Sequence, residues 1–316
     1  MIAVSAVLML LLTDFVYRRV VSERISRLID NVPPFGVVQQ SETADAEELQ
    51  IPASGGESIA ALVFRPRQTA QGIVVFCPEL GGDRRTAMVY SEGLVKSGFV
   101  VLAFDFSHNQ PQPDELSVHW ITNAQIQDLQ NVIRFVCSHA EFGTLPLGLF
   151  GISRGGSAAL ITASRDERVR CVATDSAYTT RILIDHFIQR FSRHVVPEWF
   201  FRWLPGWHVR LVMEQALKRS DRRHPIPFAH LEPTIAGLTQ PVLLISGRRD
   251  SYVTPEVTRR LAAVLVNSAS TIIWIVDGAR HNRARTIAQS DYDAKLIAHF
   301  QAGLQNAESQ RHADSV

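Results

Sequence analysis

The sequence predicts an α/β fold: a mostly parallel central sheet covered by helices on both faces. Three observations lead there. Apolar runs of strand length alternate with helical runs along most of the chain, the beat of strand–helix–strand crossovers. Gly72–Phe76 (Gly-Ile-Val-Val-Phe) and Phe99–Phe104 are apolar throughout, which suits strands buried on both faces. Leu149-Phe150-Gly151-Ile152-Ser153-Arg154-Gly155-Gly156-Ser157 reads as a strand, a tight turn with serine at its apex, and a helix of small residues.

The elements follow in order. Ser22–Ile29 is a charged helical stretch that stops at Pro33-Pro34, and Ser41–Glu48 is a polar connector. Glu48–Pro52 and Ser58–Phe64 are two strands joined by the turn signal Ala53-Ser54-Gly55-Gly56, hence a hairpin. Gly72–Phe76 leads into a Gly81-Gly82 loop, a helix over Thr86–Lys96 and the strand Phe99–Phe104. Asp128–Val136 places Leu129, Val132, Ile133 and Val136 on one helix face. After the serine turn and its helix comes the strand Val169–Ala173. From Phe187 to Trp207 seven aromatics and two prolines break the beat; this is read as a lid insert spanning about residues 180–235, with helix-packing aromatics as its plainer alternative. The beat resumes with the strand Val242–Ile245, a helix over Pro255–Val266, the strand Thr271–Val276 and the helix Tyr292–Phe300. The polar tail is expected to be disordered, giving a catalytic body over 48–303, a connector over 31–47 and a loose end over 304–316.

A chain of 316 residues, 46% hydrophobic and 20% charged, is long enough for one large α/β domain. Its net charge of +1, without a basic block, argues against a nucleic-acid partner. Cys77, Cys137 and Cys171 are odd in number and lack C-x-x-C spacing; Cys77 and Cys171 sit in apolar, strand-like runs and Cys137 in a helical one, as free thiols in a reducing compartment do. The N-terminus stands apart: Ile2–Leu12 is apolar except for Ser5, and Arg18, Arg19, Arg24 and Arg27 follow. Arginines after the apolar run oppose a cleaved signal and favour an N-terminal membrane anchor over residues 1–30 with the downstream chain cytoplasmic. The alternative is a helix packed on a soluble cytoplasmic protein.

Ser153 sits where a nucleophile elbow would place it. Gly151 and Gly155 leave room for a sharp turn, and the helix N-terminus favours developing negative charge. Two further loops follow predicted strands: Ser246-Gly247-Arg248-Arg249-Asp250 and Asp277-Gly278-Ala279-Arg280-His281-Asn282. The order Ser153, Asp250, His281 suits a nucleophile, an orienting acid and a general base. Each has a plainer alternative: Asp250 as a turn or helix cap, His281 as one of 11 histidines. Asp175, also at a strand end, is the rival acid, otherwise a hydrogen-bond acceptor beneath the site. The backbone amides of Arg154 and Leu80 are the expected oxyanion donors. The Arg154 side chain is expected either to meet an anionic substrate or to pair, exposed, with a carboxylate. His108 and His119 with Asp105 lack metal-ligand spacing.

With these residues in place, the stretch from Ile59 to Phe300 resembles the α/β-hydrolase superfamily, and within it the Bem46-like group of serine hydrolases with its ABHD13- and ABHD17-like members. Gly278-Ala279-Arg280-His281-Asn282 and the final helix match the family pattern. Where the family carries His-Gly, a variable residue and Gly-Gly, this chain has Pro78-Glu79-Leu80-Gly81-Gly82. Where the family reads Asp-Tyr-Arg-Gly-x-Gly, it has Asp105-Phe106-Ser107-His108-Asn109-Gln110, an altered rim. The resemblance implies acyl transfer from an ester, thioester or amide, with no cofactor and no metal, on a small-molecule or acyl substrate. The rival readings are a non-catalytic scaffold acting as a binding module, and a cofactor-free haloperoxidase or lyase on the same fold.

Overall fold

The computed structural model describes residues 2–30, 46–53, 56–107, 120–195, 205–223, 229 and 232–313. Its strands are β1 (Glu47–Pro52), β2 (Ser58–Phe64), β3 (Gly72–Cys77), β4 (Phe99–Phe104), β5 (Leu147–Ile152), β6 (Val169–Asp175), β7 (Val242–Gly247) and β8 (Thr271–Val276). They form one sheet in the order β1-β2-β4-β3-β5-β6-β7-β8. The predicted hairpin is the antiparallel β1–β2 pair, and β2 runs antiparallel to β4; every later pairing is parallel. Side-chain alternation splits the core between two faces. Ile73, Val75, Leu147 and Leu149 pack on one, and Val74, Phe76, Phe150 and Ile152 on the other.

Around the sheet lie α2 (Ala87–Lys96), α3 (Asn123–Ser138), α4 (Arg154–Ala163), the short α7 (Glu232–Ile235), α8 (Pro255–Ala262), the short α9 (Ala284–Ile287) and α10 (Gln289–Ala313); α1 (Ile2–Asp30), α5 (Thr180–Val195) and α6 (Gly206–Arg223) complete the helices. Sequence periodicity places α3 from Asp128; it begins five residues earlier, because Thr122 and Gln125 form a reciprocal capping box. The last helix does not stop at Phe300. It continues to Ala313 across residues whose composition suggests disorder, and Leu304 is 1% exposed in the core. Burying one further apolar side chain carries the helix register through a polar stretch.

The chain divides into two compact units. One holds the sheet and the helices that cover it. The other holds α1, α5 from Ile184 onward, and α6. Within the second, Nε2 of His208 on α6 donates to Asp14 of α1 at 2.7 Å, Arg219 meets Glu23 at 3.1 Å, and Arg223 meets Asp30 at 3.3 Å. These pairs make α1 a partner of α6 rather than a separate anchor segment. The expectation of a spanning anchor is corrected here: no helix among the described residues is long and apolar enough to cross a membrane. The apolar run Ile2–Leu12 reaches only about 16 Å as a helix against about 30 Å of hydrocarbon, and Asp14 and Arg18 then engage each other. Of the aromatic insert, Trp199, Phe200, Phe201 and Trp203 lie outside the described residues, and Trp207 is 62% exposed at the start of α6.

His299 of α10 is buried, and its Nε2 donates to the Val172 carbonyl of β6 at 2.9 Å. Burial, only partly offset by that bond, lowers its pKa to about 4. The unfolded chain then binds the extra proton first as pH falls, so stability is lost between pH ~6.5 and ~4, by about 3 kcal/mol. Urea unfolding midpoints measured across that range should fall less steeply for His299→Gln than for the unsubstituted protein.

Candidate active site

All six parallel strands from β3 to β8 end at one edge of the sheet, so the loops that follow β3, β5, β7 and β8 converge there. The chain leaves β3 toward β4 on one side and returns to β5 on the other. This reversal of strand order opens a crevice between two C-terminal strand ends, a general ligand site of open α/β sheets. Cys77 of β3 pairs in register with Gly151 of β5, so Leu80 and Ser153 leave the sheet from adjacent strands.

Ser153 occupies φ 50°, ψ −115°, a conformation that L-residues rarely adopt. Its N–H donates to the Asp175 carbonyl at 2.7 Å, and close packing holds the turn on both sides. A Cβ on Gly155 would lie 2.2 Å from the Cys77 carbonyl oxygen, and one on Gly151 would lie 2.5 Å from the Gly155 and Gly156 backbone. Only glycine lets the β3 end, the turn and α4 approach this closely.

Asp250 and His281 arrive on two loops knitted by their backbones. The Arg249 N–H donates to the Ala279 carbonyl at 2.8 Å, the Arg248 N–H to Val276 at 2.9 Å, and a Cβ on Gly247 would lie 2.4 Å from the Ala279 carbonyl. His281 then spans the other two side chains, with Nε2 3.1 Å from Ser153 Oγ and Nδ1 2.7 Å from Asp250 Oδ2. The second carboxylate oxygen of Asp250 accepts from the Tyr252 and Val253 amides at 2.8 and 2.9 Å. Tyr252 also sets its ring edgewise against the imidazole, 5.7 Å between centroids. Ser153, Asp250 and His281 are buried. Such a row can pass a proton from a hydroxyl to an imidazole whose tautomer a carboxylate holds.

The rival acid is elsewhere occupied: Asp175 accepts from Ser176 Oγ at 2.9 Å and from Tyr292 Oη at 3.2 Å. Burial raises its carboxyl to about 6. The expectation of an exposed Arg154 is corrected: the side chain is 1% exposed, and burial lowers its pKa to about 10, with Tyr178 opposing. Leu80 sits in the turn after β3, followed by Gly81 at φ 75°. Asp105 is engaged by the Arg84 amide at 2.8 Å and by the Arg84 guanidinium; His108 and His119 lie outside the described residues. Among the described residues no cluster of His, Cys, Asp or Glu is arranged to hold a metal ion.

Three residues of this edge escape sequence reasoning. Glu79, beside Leu80, is 2% exposed and accepts from Tyr90 Oη at 3.0 Å. Tyr90 and Tyr292 are buried on the same side of the sheet. A lone carboxylate between an apolar strand and a Gly-Gly loop is the signal that was available for Glu79. Nothing in the sequence marks the two tyrosines.

No protein-family model matches the chain. Its fold is the α/β-hydrolase fold, as solved structures show. An esterase of Pyrococcus furiosus superposes with a TM-score of 0.61 at 17% identity, over 86% of this chain and 96% of that one. A dienelactone hydrolase of Anabaena variabilis superposes at 0.54 and 17% identity, over 82% and 99%. By sequence the chain is similar to the quorum-quenching protein AidA of Acinetobacter baumannii, 28% identical over 125 residues that make up 38% of this chain and 40% of that protein. It is also similar to the uncharacterised protein YcjY of Escherichia coli, 27% identical over 128 residues, 38% and 41%. The match thus spans about two fifths of the length of each curated relative.

Because the elbow depends on backbone contact, Gly155→Ala is expected to lower the unfolding free energy by about 3 kcal/mol or more. Gly206→Ala, with nothing within 4 Å of the added Cβ, is expected to change it by less than about 1 kcal/mol. Chemical denaturation of the two variants side by side checks the contrast.

Proposed function

We propose that this protein is a serine hydrolase that transfers an acyl group from an ester, thioester or amide to water through Ser153. The observation that carries the reading is the Ser153–His281–Asp250 row at the sheet edge, with the serine in a strained turn at a helix N-terminus. Ser153 Oγ attacks the acyl carbon as its proton passes to His281 Nε2. Asp250 holds the Nδ1–H and stabilises the imidazolium. The amides of Leu80 and Arg154 receive the oxyanion. His281 then protonates the leaving group, an acyl-serine remains, and a water deprotonated by His281 releases the acid. The esterase and hydrolase names of the superposed structures support this chemistry, and the Gly278–Asn282 segment supports a place in the Bem46-like group.

A membrane surface belongs to the same proposal, as the place where a lipophilic acyl substrate is met. Leu8, Leu11 and Leu12 of α1 are 60 to 62% exposed, Met9 and Leu10 67%, and Arg18, Arg19, Arg24 and Arg27 follow on the same helix. An exposed aliphatic segment followed by cations suits partial insertion into an anionic leaflet.

Three results test these statements. A fluorophosphonate should label the protein and fail to label Ser153→Ala, whose kcat on p-nitrophenyl esters should fall by about 10⁴-fold or more. Absence of labelling in the unsubstituted protein would favour a binding scaffold, and a non-hydrolytic product would favour the lyase or haloperoxidase reading. Asp250→Asn should lower kcat by about 10⁴-fold while leaving KM little changed. The protein should sediment with phosphatidylglycerol-containing vesicles, and the triple variant Leu8→Glu, Leu11→Glu, Leu12→Glu should stay in the supernatant; equal sedimentation of both would remove the membrane from the proposal.

A further inference from the structure

The loop that carries Leu80 is pinned from below by a buried acid. Glu79 stands two residues beyond β3, after Pro78, and its carboxyl turns inward, away from solvent, toward α2. Oε1 accepts from Tyr90 Oη at 3.0 Å and Oε2 from Thr86 Oγ1 at 3.5 Å. The Gly82 amide donates back to the Glu79 carbonyl at 3.0 Å, closing the turn. Gly82 also makes room for the acid, since a Cβ there would lie 3.0 Å from the carboxyl carbon. Tyr90 itself is fixed by stacking on Phe76 of β3, ring centroids 6.0 Å apart. The side chain is therefore held by Tyr90, in the turn that follows the strand end the elbow touches through Gly155.

We propose that Glu79 is a positioning residue of the hydrolytic site: its buried carboxyl, bonded to Tyr90 of α2, sets the conformation of the turn that presents the Leu80 amide. The inference rests on the hydrolase reading above for its kinetic consequence, while the hold of Tyr90 on the Glu79 carboxyl stands independently of it. The Glu79 carboxyl meets Tyr90 of α2 and Thr86 just before it and is under the electrostatic pull of His281 from the loop after β8; Tyr90 in turn feels Asp175 at the end of β6 and Arg283 beyond His281. Burial raises the Glu79 carboxyl to about 7, against the pull of its own backbone amide, Tyr90 and His281. The group thus changes charge near neutrality. When ionised, it favours the imidazolium that forms during acyl transfer; when protonated, it does not.

The test uses Glu79→Gln, which keeps the shape and removes the charge, on the full chain. Carboxyl carbon NMR follows Glu79, assigned by the signal missing in Glu79→Gln. The expected result is a midpoint near 7 in the unsubstituted protein that moves upward in Tyr90→Phe. On p-nitrophenyl esters, kcat should fall by about 10-fold with KM unmoved, because the turn acts on the oxyanion of the transition state. The pH profile should lose its limb near 7, and Glu79→Asp should restore part of it. A kcat and a pH profile of Glu79→Gln that superimpose on those of the unsubstituted protein would overturn the proposal. If the unsubstituted protein shows neither hydrolysis nor labelling while the Glu79 midpoint still moves in Tyr90→Phe, the hydrolase reading fails and the hold of Tyr90 on Glu79 stands. Should Glu79→Gln not fold, Tyr90→Phe removes one donor and is expected to move the Glu79 limb upward; an unmoved limb counts against the proposal.

Discussion

The contact between the serine turn and the end of β3 governs the rest of this edge. Gly155 lies against the Cys77 carbonyl at a distance that excludes any side chain, and Gly151 lies against the first turn of α4. That approach holds Ser153 at a positive φ, and packing on both sides keeps the strain in place. It also ties the nucleophile turn to the strand that leads into Glu79 and Leu80. The proposed attacking atom and the proposed oxyanion donor therefore share one mechanical frame. A shift in either loop is felt by the other through backbone, without a side chain to absorb it.

A second frame carries the acid and the base. Backbone hydrogen bonds from Arg248 and Arg249 reach the loop after β8, and the carboxylate of Asp250 is saturated by two amides and the imidazole. A carboxylate held this way has little freedom to leave His281. Beneath both frames lies a polar layer in an otherwise apolar face: Glu79 with Tyr90, and Asp175 with Tyr292. Phe76 and Phe150 fill the space around these pairs, with ring centroids 5.7 Å apart. Burial raises both carboxyls toward neutrality, so this layer can change charge under conditions in which the surface carboxylates do not.

The N-terminal helix follows different physics. Its polar residues Asp14, Glu23 and Asp30 are spaced so that each meets α6, while its first three turns leave aliphatic side chains in solvent. Apolar content alone suggests an anchor; the spacing of the charges makes the same helix half of a pair, while an exposed apolar face runs from Val4 on to Val20.

Much of this was legible in the sequence because it depends on local rules. Apolar runs of strand length, the Gly-x-Ser-x-Gly turn and the polar loops after Val242–Ile245 and Thr271–Val276 each announce themselves within a few residues. The order of Ser153, Asp250 and His281 could be read because parallel strands deliver their following loops to one edge. Other features required the folded chain. An arginine beside the elbow serine reads as meeting an anionic substrate or pairing, exposed, with a carboxylate, yet α4 packs Arg154 inside. The final helix outran its apolar pattern because Leu304 found the core. Glu79, Tyr90, Asp175 and Tyr292 are scattered over more than 200 positions, and only the strand order brings them beneath one histidine. The sequence by itself determined the strands, the strained turn and the chemical types of the proposed reacting groups, since these follow from neighbours along the chain. The tertiary structure alone decided which acid meets His281 and which acids are buried beneath it, because desolvation and hydrogen-bond partnership depend on residues distant in the chain.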